Sequence, residues 1–438
     1  ALEPRFGFVP TPEGGGNVVD FEGNVFAVIP PEDFLATQVV GFNGDNSALF
    51  LRDSRERDTA ALTRMVIETG EMSILATNDK ADISGILTDP ATNEPVAYSV
   101  NHLKSAWYPL TPQTEADFKA ISARLKGSLS IVATTKDMSR WVIHEDSSEK
   151  PGSYYIYDRA AGSVEQMLVT QPELANFELA PMQAVVVKAR DGLELVSYLT
   201  LPPGSDSDGD GRPEKPVPMV LAVHGGPWGR DEFGYNSWHQ WMANRGYAVL
   251  SVNYRGSTGF GKSFMRAAIR EFAGKMHDDL IDGVNWAVDE GIADPEKVAI
   301  AGGSYGGYAT LVGVSFTPDT FACGVDIVGP SSLVTLIESF PEYWKPFLAG
   351  TWYAYVGDPA NEEDRADMLA RSAISRIDDI TVPLLVGQGA NDPRVTKLES
   401  DQLVDAMAAK EQQVTYVNFP DEGHGFARPE NRLAFYAV

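Results

Sequence analysis

The stretch VAIAGGSYGG, residues 298–307, decides the fold of this chain. Its first four residues are an apolar run typical of a buried strand, and Ser304 follows between Gly302 and Gly306. A glycine-flanked serine between a strand and a helix indicates a nucleophile elbow, which holds the serine hydroxyl at the top of a sheet. Tyr305–Val314 has few helix breakers after Gly307 and can form that helix. Because 40 glycines make the pattern common by chance, this context carries the prediction.

Two segments further along the chain supply the partners that a serine nucleophile needs. Thr381–Gly389 is predicted to be a buried strand that ends just before Asp392, and Val414–Phe419 is predicted to be the next strand, ending before His424. A serine hydroxyl needs a base, and the base needs a carboxylate that fixes its tautomer. The order Ser, Asp, His is that of the α/β-hydrolases, whose loops meet at one sheet edge. We therefore predict Ser304 as nucleophile, His424 as base and Asp392 as acid.

Each of these three assignments has a plainer alternative. Ser304 could be a turn residue and His424 a loop histidine. Asp392 competes with Asp421, which could cap a turn, and with Asp326, which follows an earlier predicted strand.

Attack on a carbonyl also requires hydrogen-bond donors for the oxyanion. The backbone N–H of Tyr305 is one, because it follows the nucleophile at the N-terminus of a helix. The predicted strand Tyr247–Asn253 leads to a second candidate, Tyr254.

Five short motifs in one order make this chain resemble the prolyl oligopeptidase family of serine peptidases, in particular its acylaminoacyl-peptidase-like branch. They are HGGP at 224–227, NYRGSTG at 253–259, GGSYGGY at 302–308, DPR at 392–394 and GHG at 423–425. Together they cover most of Pro202–Val438, and their joint order is highly specific.

The resemblance implies roles for two more residues. The Tyr254 hydroxyl would complete the oxyanion hole, with a core tyrosine as the alternative. Arg394 would hold a substrate backbone carbonyl on the acyl side of the cleaved bond, with an ion pair to an acid as the alternative. His224 is expected to shape the following Gly-Gly-Pro turn rather than to transfer protons.

The N-terminal part of the chain has short β-rich runs separated by polar turns, and it repeats weakly. Ser47–Gly70 and Arg140–Gly162 share a plan of strand, charged turn, strand and glycine, with Pro95–Val100 as a strand between them. The family places a β-propeller before its hydrolase domain. We therefore predict an incomplete propeller-like region over 1–180 and an α/β-hydrolase domain over 181–438, in a chain truncated or cleaved from a longer one. A small independent N-terminal domain is the alternative.

Pro202–Pro218 is predicted to be a loop, and its acids could bind a cation. Asp206, Asp208 and Asp210 alternate as in the first half of a calcium loop, but Val217 stands where an EF-hand needs glutamate. A solvated insertion without a cofactor is the main expectation, and calcium is the alternative.

Specificity is expected to come from an aromatic segment, Phe340–Tyr355. Its residues Tyr343, Trp344 and Trp352 could line an apolar pocket for the side chain before the scissile bond, although core packing would explain them equally well.

Composition narrows the remaining classes of function. A formal charge of −26 argues against nucleic acid as a partner, and no apolar run approaches membrane-spanning length. The single cysteine, Cys323, excludes an internal disulfide and is expected to be buried. Association with identical chains stays open, as does the compartment, since a cytoplasmic chain and a processed periplasmic or secreted one would look alike.

These observations predict a serine peptidase that cleaves short peptides through an acyl-enzyme. A carboxylesterase with the same triad is the second enzyme class, and a non-catalytic propeller-type binding protein is the contrasting one. The mode of cleavage, from a chain end or within the chain, is left open.

Overall fold

A computed structural model describes residues 6–438, which form two compact units. The first unit holds the described residues up to Ala184 together with Glu232–Gln240 and Thr258–Ser263. The second holds Val185–Asp231, Trp241–Ser257 and Phe264–Val438. A single boundary near Pro181 therefore leaves out two later segments that join the first unit.

Four antiparallel sheets follow one another in the first unit, each built from strands that are neighbours in the sequence. This meander is the form of a propeller blade, as the sequence predicts. The first two sheets contain β1 (Phe6–Pro10), β2 (Gly16–Asp20) and β3 (Val25–Ile29), then β4 (Gln38–Phe42), β5 (Ala48–Asp53), β6 (Ala61–Val66) and β7 (Met72–Ala76). The other two contain β8 (Ile83–Thr88), β9 (Pro95–Asn101) and β10 (Ser105–Pro109), then, after helix α1 (Pro112–Ser122), β11 (Ser128–Thr134), β12 (Arg140–Ser147), β13 (Lys150–Asp158) and β14 (Ser163–Val169).

The weak sequence repeat corresponds to the same place in two of these sheets. Its two copies form the central hairpins β5–β6 and β12–β13 of the four-stranded sheets. Gly70 and Gly162 both have positive φ, 70° and 58°, at the turn into the last strand of their sheet. Glycine is favoured there because other residues are strained in this conformation. The predicted strand 95–100 is confirmed as part of β9.

The second unit is built on an eight-stranded sheet in which the central strands are parallel. Its order is β15-β16-β18-β17-β19-β20-β21-β22. The strands are β15 (Met182–Lys188), β16 (Glu194–Thr200), β17 (Val217–Val223), β18 (Ala248–Val252), β19 (Ala293–Gly303), β20 (Cys323–Ile327), β21 (Leu384–Gly389) and β22 (Val414–Phe419). Strand β18 is buried along its whole length, as expected of an apolar run in a parallel sheet covered on both faces.

Helices alternate with these strands, which confirms the predicted α/β-hydrolase fold class. In chain order they are α2 (Ser237–Ala243), α3 (Lys262–Arg266), α4 (Lys275–Asp289), α5 (Tyr305–Phe316), α6 (Leu333–Glu338), α7 (Trp352–Tyr355), α8 (Glu362–Ala370), α9 (Lys397–Ala409) and α10 (Pro429–Tyr436). Short 3-10 turns occur at Pro31–Asp33, Pro172–Asn176, Glu342–Phe347 and Ala373–Asp379.

Two local predictions differ from the structure. The strand predicted to begin at Thr381 begins at Leu384, since Pro383 has no N–H to donate to the ladder. Cys323 is only half-buried at the start of β20, and burial raises the pKa of its thiol.

Candidate active site

Ser304 lies at the sharp turn between β19 and α5. Its φ of 58° and ψ of −117° are strained for a side-chain-bearing residue, and its N–H donates to the carbonyl of Ile327 at 2.9 Å. The neighbouring glycines are required because there is no room for a side chain. A Cβ at Gly302 would lie 2.6 Å from the Val223 carbonyl oxygen, and one at Gly306 would lie 2.1 Å from the same atom. Packing against β17 therefore fixes this turn.

Asp392 and His424 are brought together from the ends of β21 and β22. Asp392 Oδ2 lies 2.7 Å from His424 Nδ1, and the carboxylate is buried. Its other oxygen accepts the backbone N–H groups of Arg394 and Val395 at 2.8 and 3.0 Å. An ionised Asp392 accepts the Nδ1 proton of His424, which leaves Nε2 free to act as a base.

The other two candidate acids have different partners. Asp421 is exposed and pairs with Arg428, whereas Asp326 accepts the N–H of Gly329 at 2.8 Å. Burial raises the pKa of Asp326 well above its ordinary value. Of the three aspartates, the structure places Asp392 against His424.

Ser304 and His424 line the same cavity, whose volume is about 150 Å³. Apart from Gly226, Arg394 and these two residues, its walls are apolar or aromatic. They are formed by Phe272, Tyr305, Tyr308, Pro330, Leu333, Leu336, Phe340, Trp344, Trp352 and Val395. A mostly apolar cavity with a few convergent polar groups is the usual form of a small-molecule or peptide side-chain site.

The structure brings two of the three predicted aromatic residues to this cavity. Trp344 and Trp352 line it, and both pack against Phe340 with ring centroids 5.0 Å apart. Tyr343 is not among the lining residues and is 70% exposed. Its side chain contacts the edge of Trp344 instead, at a centroid distance of 6.4 Å.

Several lining residues were not found from the sequence. The side chains of Tyr305 and Tyr308 come from the first turn of α5, directly after the nucleophile, and Phe272 packs against both rings at 5.1 and 5.7 Å. Burial raises the pKa of both tyrosines, so their phenols stay neutral and act as wall. The position of both tyrosines directly after Ser304 is the sequence feature that predicts this wall.

Tyr254 is fully buried, and its hydroxyl has another partner. The ring stacks on that of His224 with centroids 4.5 Å apart, and the hydroxyl donates to the His224 carbonyl oxygen at 3.1 Å. It is absent from the described residues that line the cavity. The hydroxyl is thus directed at His224 in this structure, and the oxyanion role of Tyr254 stays a prediction.

Gly226, by contrast, lines the cavity with Ser304. The preceding Gly225 packs on the nucleophile, since a Cβ there would lie 3.4 Å from Ser304 Cβ and 3.0 Å from the Gly303 carbonyl oxygen. The turn after β17 thus brings main-chain atoms next to the nucleophile. In the sequence, Gly225 and Gly226 are the feature that indicates this close approach of the backbone to Ser304.

Arg394 is exposed and lines the cavity, as a substrate-binding residue would. None of the acids in the described part of the chain forms an ion pair with it, so the ion-pair alternative has no support. Its guanidinium is available to a ligand in the cavity.

The three acids of the predicted loop do converge. Carboxylate oxygens of Asp206, Asp208 and Asp210 lie within 4.8 Å of one another, and the Asp206 carboxylate accepts the N–H groups of Gly209 and Gly211. Oxygen ligands at this spacing suit a hard cation such as calcium. Exposed acids also converge without one, and calcium binding stays a prediction.

An α/β-hydrolase whose serine elbow shares a cavity with an Asp–His pair is the class that this fold and geometry define. Residues 233–438 match the model of the prolyl oligopeptidase family. This match confirms the resemblance to that family that the five motifs predict.

Two curated relatives match nearly the whole chain. It is 49% identical over 431 residues to dipeptidyl aminopeptidase BIII of Pseudoxanthomonas mexicana, covering 98% of this chain and 62% of the relative. It is 38% identical to dipeptidyl peptidase family member 6 of Caenorhabditis elegans, covering 92% of this chain and 57% of the relative. The chain thus spans about six tenths of the length of these proteins.

Solved structures share the fold at low identity. A puromycin-hydrolyzing peptidase of Mycobacterium tuberculosis has a TM-score of 0.75 at 23% identity, covering 98% of this chain and 66% of that one. An acylaminoacyl peptidase of Pyrococcus horikoshii has a TM-score of 0.72 at 18% identity, covering 98% and 67%. No helix of the described residues is both long enough and apolar enough to cross a membrane.

Proposed function

We propose that this chain is a serine peptidase that hydrolyses short peptides through an acyl-enzyme. The observation that carries the proposal is the 2.7 Å contact between Asp392 and His424, on a cavity that His424 shares with the strained Ser304. One curated relative is named a dipeptidyl aminopeptidase and the other a dipeptidyl peptidase family member, which supports peptides as substrates. A net charge of −26 disfavours nucleic acid as an alternative partner.

The geometry supports a two-step reaction. His424 Nε2 takes the proton of Ser304 Oγ while the oxygen bonds to the scissile carbonyl carbon, and Asp392 stabilises the imidazolium without itself being protonated. The N–H of Tyr305 binds the resulting oxyanion. His424 then protonates the leaving amine. Water, activated by the same imidazole, hydrolyses the ester and restores the serine.

The cavity supports a large apolar side chain at the position before the scissile bond. It is walled by Trp344, Trp352 and Phe340 on one segment and by the neutral phenols of Tyr305 and Tyr308. A basic side chain would lose its hydration there without gaining an opposite charge, because none of the described lining residues is acidic. Peptides with an aromatic or large aliphatic residue at that position are therefore the proposed substrate class.

Arg394 is the feature that favours peptides over simple esters. A guanidinium at the rim can donate two hydrogen bonds to a main-chain carbonyl of the substrate, a group that an acetyl ester lacks.

Labelling and substitution of the nucleophile test the proposed function. A fluorophosphonate probe should label wild type at Ser304, and Ser304→Ala should lose both labelling and peptide hydrolysis. Because only a hydroxyl is removed, the circular dichroism spectrum and melting temperature should stay close to wild type. Labelling at another serine, or full activity in the variant, would refute the assignment.

A further inference from the structure

Glu399 is a fully buried acid in the first turn of α9, outside the proposed triad. Its helix begins shortly after the loop that carries Asp392 and Arg394. A buried carboxylate is costly unless its oxygens are hydrogen-bonded, so its partners indicate what it does.

The partners of Glu399 are uncharged groups from the loop before α6, from α6 itself and from α9. The backbone N–H groups of Ser331 and Ser332 donate to Oε2 at 3.0 and 2.9 Å, and the Thr335 hydroxyl donates to Oε1. The Gln402 amide, one turn further along α9, donates to Oε2 at 3.1 Å. Burial raises the pKa of the Glu399 carboxyl, and the hydrogen bonds from Thr335, Ser332 and Ser331 oppose that rise.

A second bond fastens the same segment to the helix backbone. The Ser331 hydroxyl donates to the carbonyl oxygen of Glu399 at 2.7 Å. One residue of α9 therefore binds two consecutive backbone N–H groups, and receives two hydroxyl hydrogen bonds from the 331–335 segment.

That segment forms one wall of the active-site cavity. Pro330, Leu333 and Leu336 line the cavity, and they flank or alternate with the residues that donate to Glu399. Val395, from the loop before α9, lines it as well. The Glu399 carboxylate thus links the apolar wall of the cavity to α9, the helix that follows the Asp392 loop.

We propose that Glu399 is a positioning residue that sets the shape of the pocket for the side chain before the scissile bond, by holding residues 330–336 against α9. The inference rests on the proposed function and deepens it. Glu399 touches neither substrate nor triad, and acts through Leu333 and Leu336.

Two substitutions distinguish the effect of the hydrogen bonds that Glu399 accepts from the effect of its charge. Glu399→Ala leaves both backbone N–H groups and the Thr335 hydroxyl without their acceptor, so the wall should relax. Glu399→Gln can still accept both N–H groups at one oxygen, while its amide nitrogen donates to the Thr335 oxygen. The glutamine variant should therefore keep the pocket.

Ser400→Ala provides a matched control. Ser400 is the next residue of α9, is also buried, and its hydroxyl donates to Gln388 Oε1 at 2.9 Å. The Ser400→Ala variant also loses a buried hydrogen bond from the first turn of α9, but that bond is made to β21 and not to the cavity wall.

The experiment measures kcat and KM on two dipeptidyl amides that differ only in phenylalanine or alanine before the scissile bond. We expect Glu399→Ala to lower the ratio of kcat/KM for phenylalanine over alanine by about 10-fold or more, mainly through KM. Glu399→Gln and Ser400→Ala should keep that ratio within about threefold of wild type. An unchanged ratio in Glu399→Ala, or an equal fall in Ser400→Ala, would overturn the inference.

A second variant and a labelling assay keep the inference testable if Glu399→Ala does not fold or if the amides are not cleaved. If Glu399→Ala does not fold, Glu399→Asp is measured instead, because its shorter side chain retracts the carboxylate and should also lower the ratio. Labelling rates of Ser304 with a methyl and a phenethyl fluorophosphonate report the same pocket without peptide hydrolysis. If wild type is labelled but cleaves neither amide, the proposed function is wrong, and the ratio of labelling rates still decides the role of Glu399.

Discussion

At the scale of single residues, the hydroxyl of Tyr254 shows how burial limits what a side chain can do. Its phenol is enclosed between the rings of His224 and Tyr305, and its proton is directed at the His224 carbonyl. Burial raises its pKa well above the ordinary value, so the phenol stays protonated. To bind an oxyanion, the hydroxyl would have to give up this hydrogen bond.

We therefore expect Tyr254→Phe to lower kcat by less than about 10-fold, well below the 10²–10³ typical of losing an oxyanion donor. The substitution should instead cost about 1 kcal/mol of unfolding free energy, since the His224 carbonyl loses its donor. Peptide kinetics and urea unfolding measure the two effects. A loss of kcat by about 10³ at unchanged stability would show that the hydroxyl does bind the oxyanion.

Arg394 is expected to discriminate between peptides and simple esters. Arg394→Ala should lower kcat/KM on a dipeptidyl amide by about 10–100-fold, the scale of a charge-assisted hydrogen bond of about 1.5–3 kcal/mol. Hydrolysis of p-nitrophenyl acetate, which lacks the second carbonyl, should change much less. The measurement is the ratio of the two rates.

The matched control for Arg394 is Arg376→Ala, which removes another exposed arginine, paired with Asp379. Arg376→Ala should leave the rates of hydrolysis of both the amide and the ester unchanged. Equal losses on amide and ester in Arg394→Ala would mean that the arginine supports the Asp392 loop, and preserved amide cleavage would remove the residue-level reason for preferring peptides.

At the scale of elements, the first turn of α4 contains a histidine that is buried without compensation for its charge. His277 contacts the Thr317 hydroxyl through Nε2 at 3.0 Å, and its Nδ1 is buried without a hydrogen-bond partner among the described residues. Burial, with a smaller effect of Arg190, lowers the pKa of His277 to about 4. The neutral imidazole is therefore the folded form.

This burial predicts a loss of stability in acid. The unfolded chain takes up the proton near pH 6.5 and the folded chain only near pH 4, so stability falls as pH drops through that window. For one such histidine the loss between pH 8 and pH 5 is ~2 kcal/mol of unfolding free energy.

The test compares wild type with His277→Gln in urea at both pH values. The variant should lose less stability on acidification, by about that ~2 kcal/mol, whatever its stability at pH 8. An identical acid-induced loss in the two proteins would mean that His277 is charged when folded or is not buried in solution.

The elements themselves could largely be predicted from the sequence. Val414–Phe419 has the same bounds as the strand in the structure, because an apolar run between turn residues leaves few alternatives. The helix predicted over Tyr305–Val314 begins at the same residue in the structure but ends at Phe316. Pro383 shortened β21 through a local rule that the sequence did contain.

The parts of the candidate site that depend on distant contacts could not be predicted. Asp392 and Asp421 follow strands, whereas Asp326, predicted to follow one, lies inside β20. Only the folded sheet brings Asp392 to His424. The wall formed by Leu333 and Leu336 depends on Glu399, which is more than sixty residues away in the chain. Side-chain direction within a packed core is not encoded in local periodicity.

At the scale of the whole molecule, the main feature is the excess of acidic over basic residues. The chain has 61 acidic and 35 basic residues, so like-charge repulsion opposes the compact state. Added salt screens this repulsion, with a Debye length of about 10 Å at 0.1 M. Sodium chloride should therefore raise the melting temperature gradually, over hundreds of millimolar, without any specific site.

Calcium separates this diffuse effect from a site at Asp206, Asp208 and Asp210. A bound ion adds stability that grows as the logarithm of calcium concentration over its dissociation constant, so micromolar to millimolar calcium should raise the melting temperature if the carboxylates bind it. A chelator should lower the melting temperature again.

Because sub-millimolar calcium contributes almost nothing to ionic strength, measurements in constant 0.15 M sodium chloride hold the screening fixed. Asp208→Asn should abolish the calcium response and keep the response to sodium chloride. If calcium and chelator have no effect on wild type, the loop is a solvated insertion, and if Asp208→Asn responds like wild type, the ion binds elsewhere.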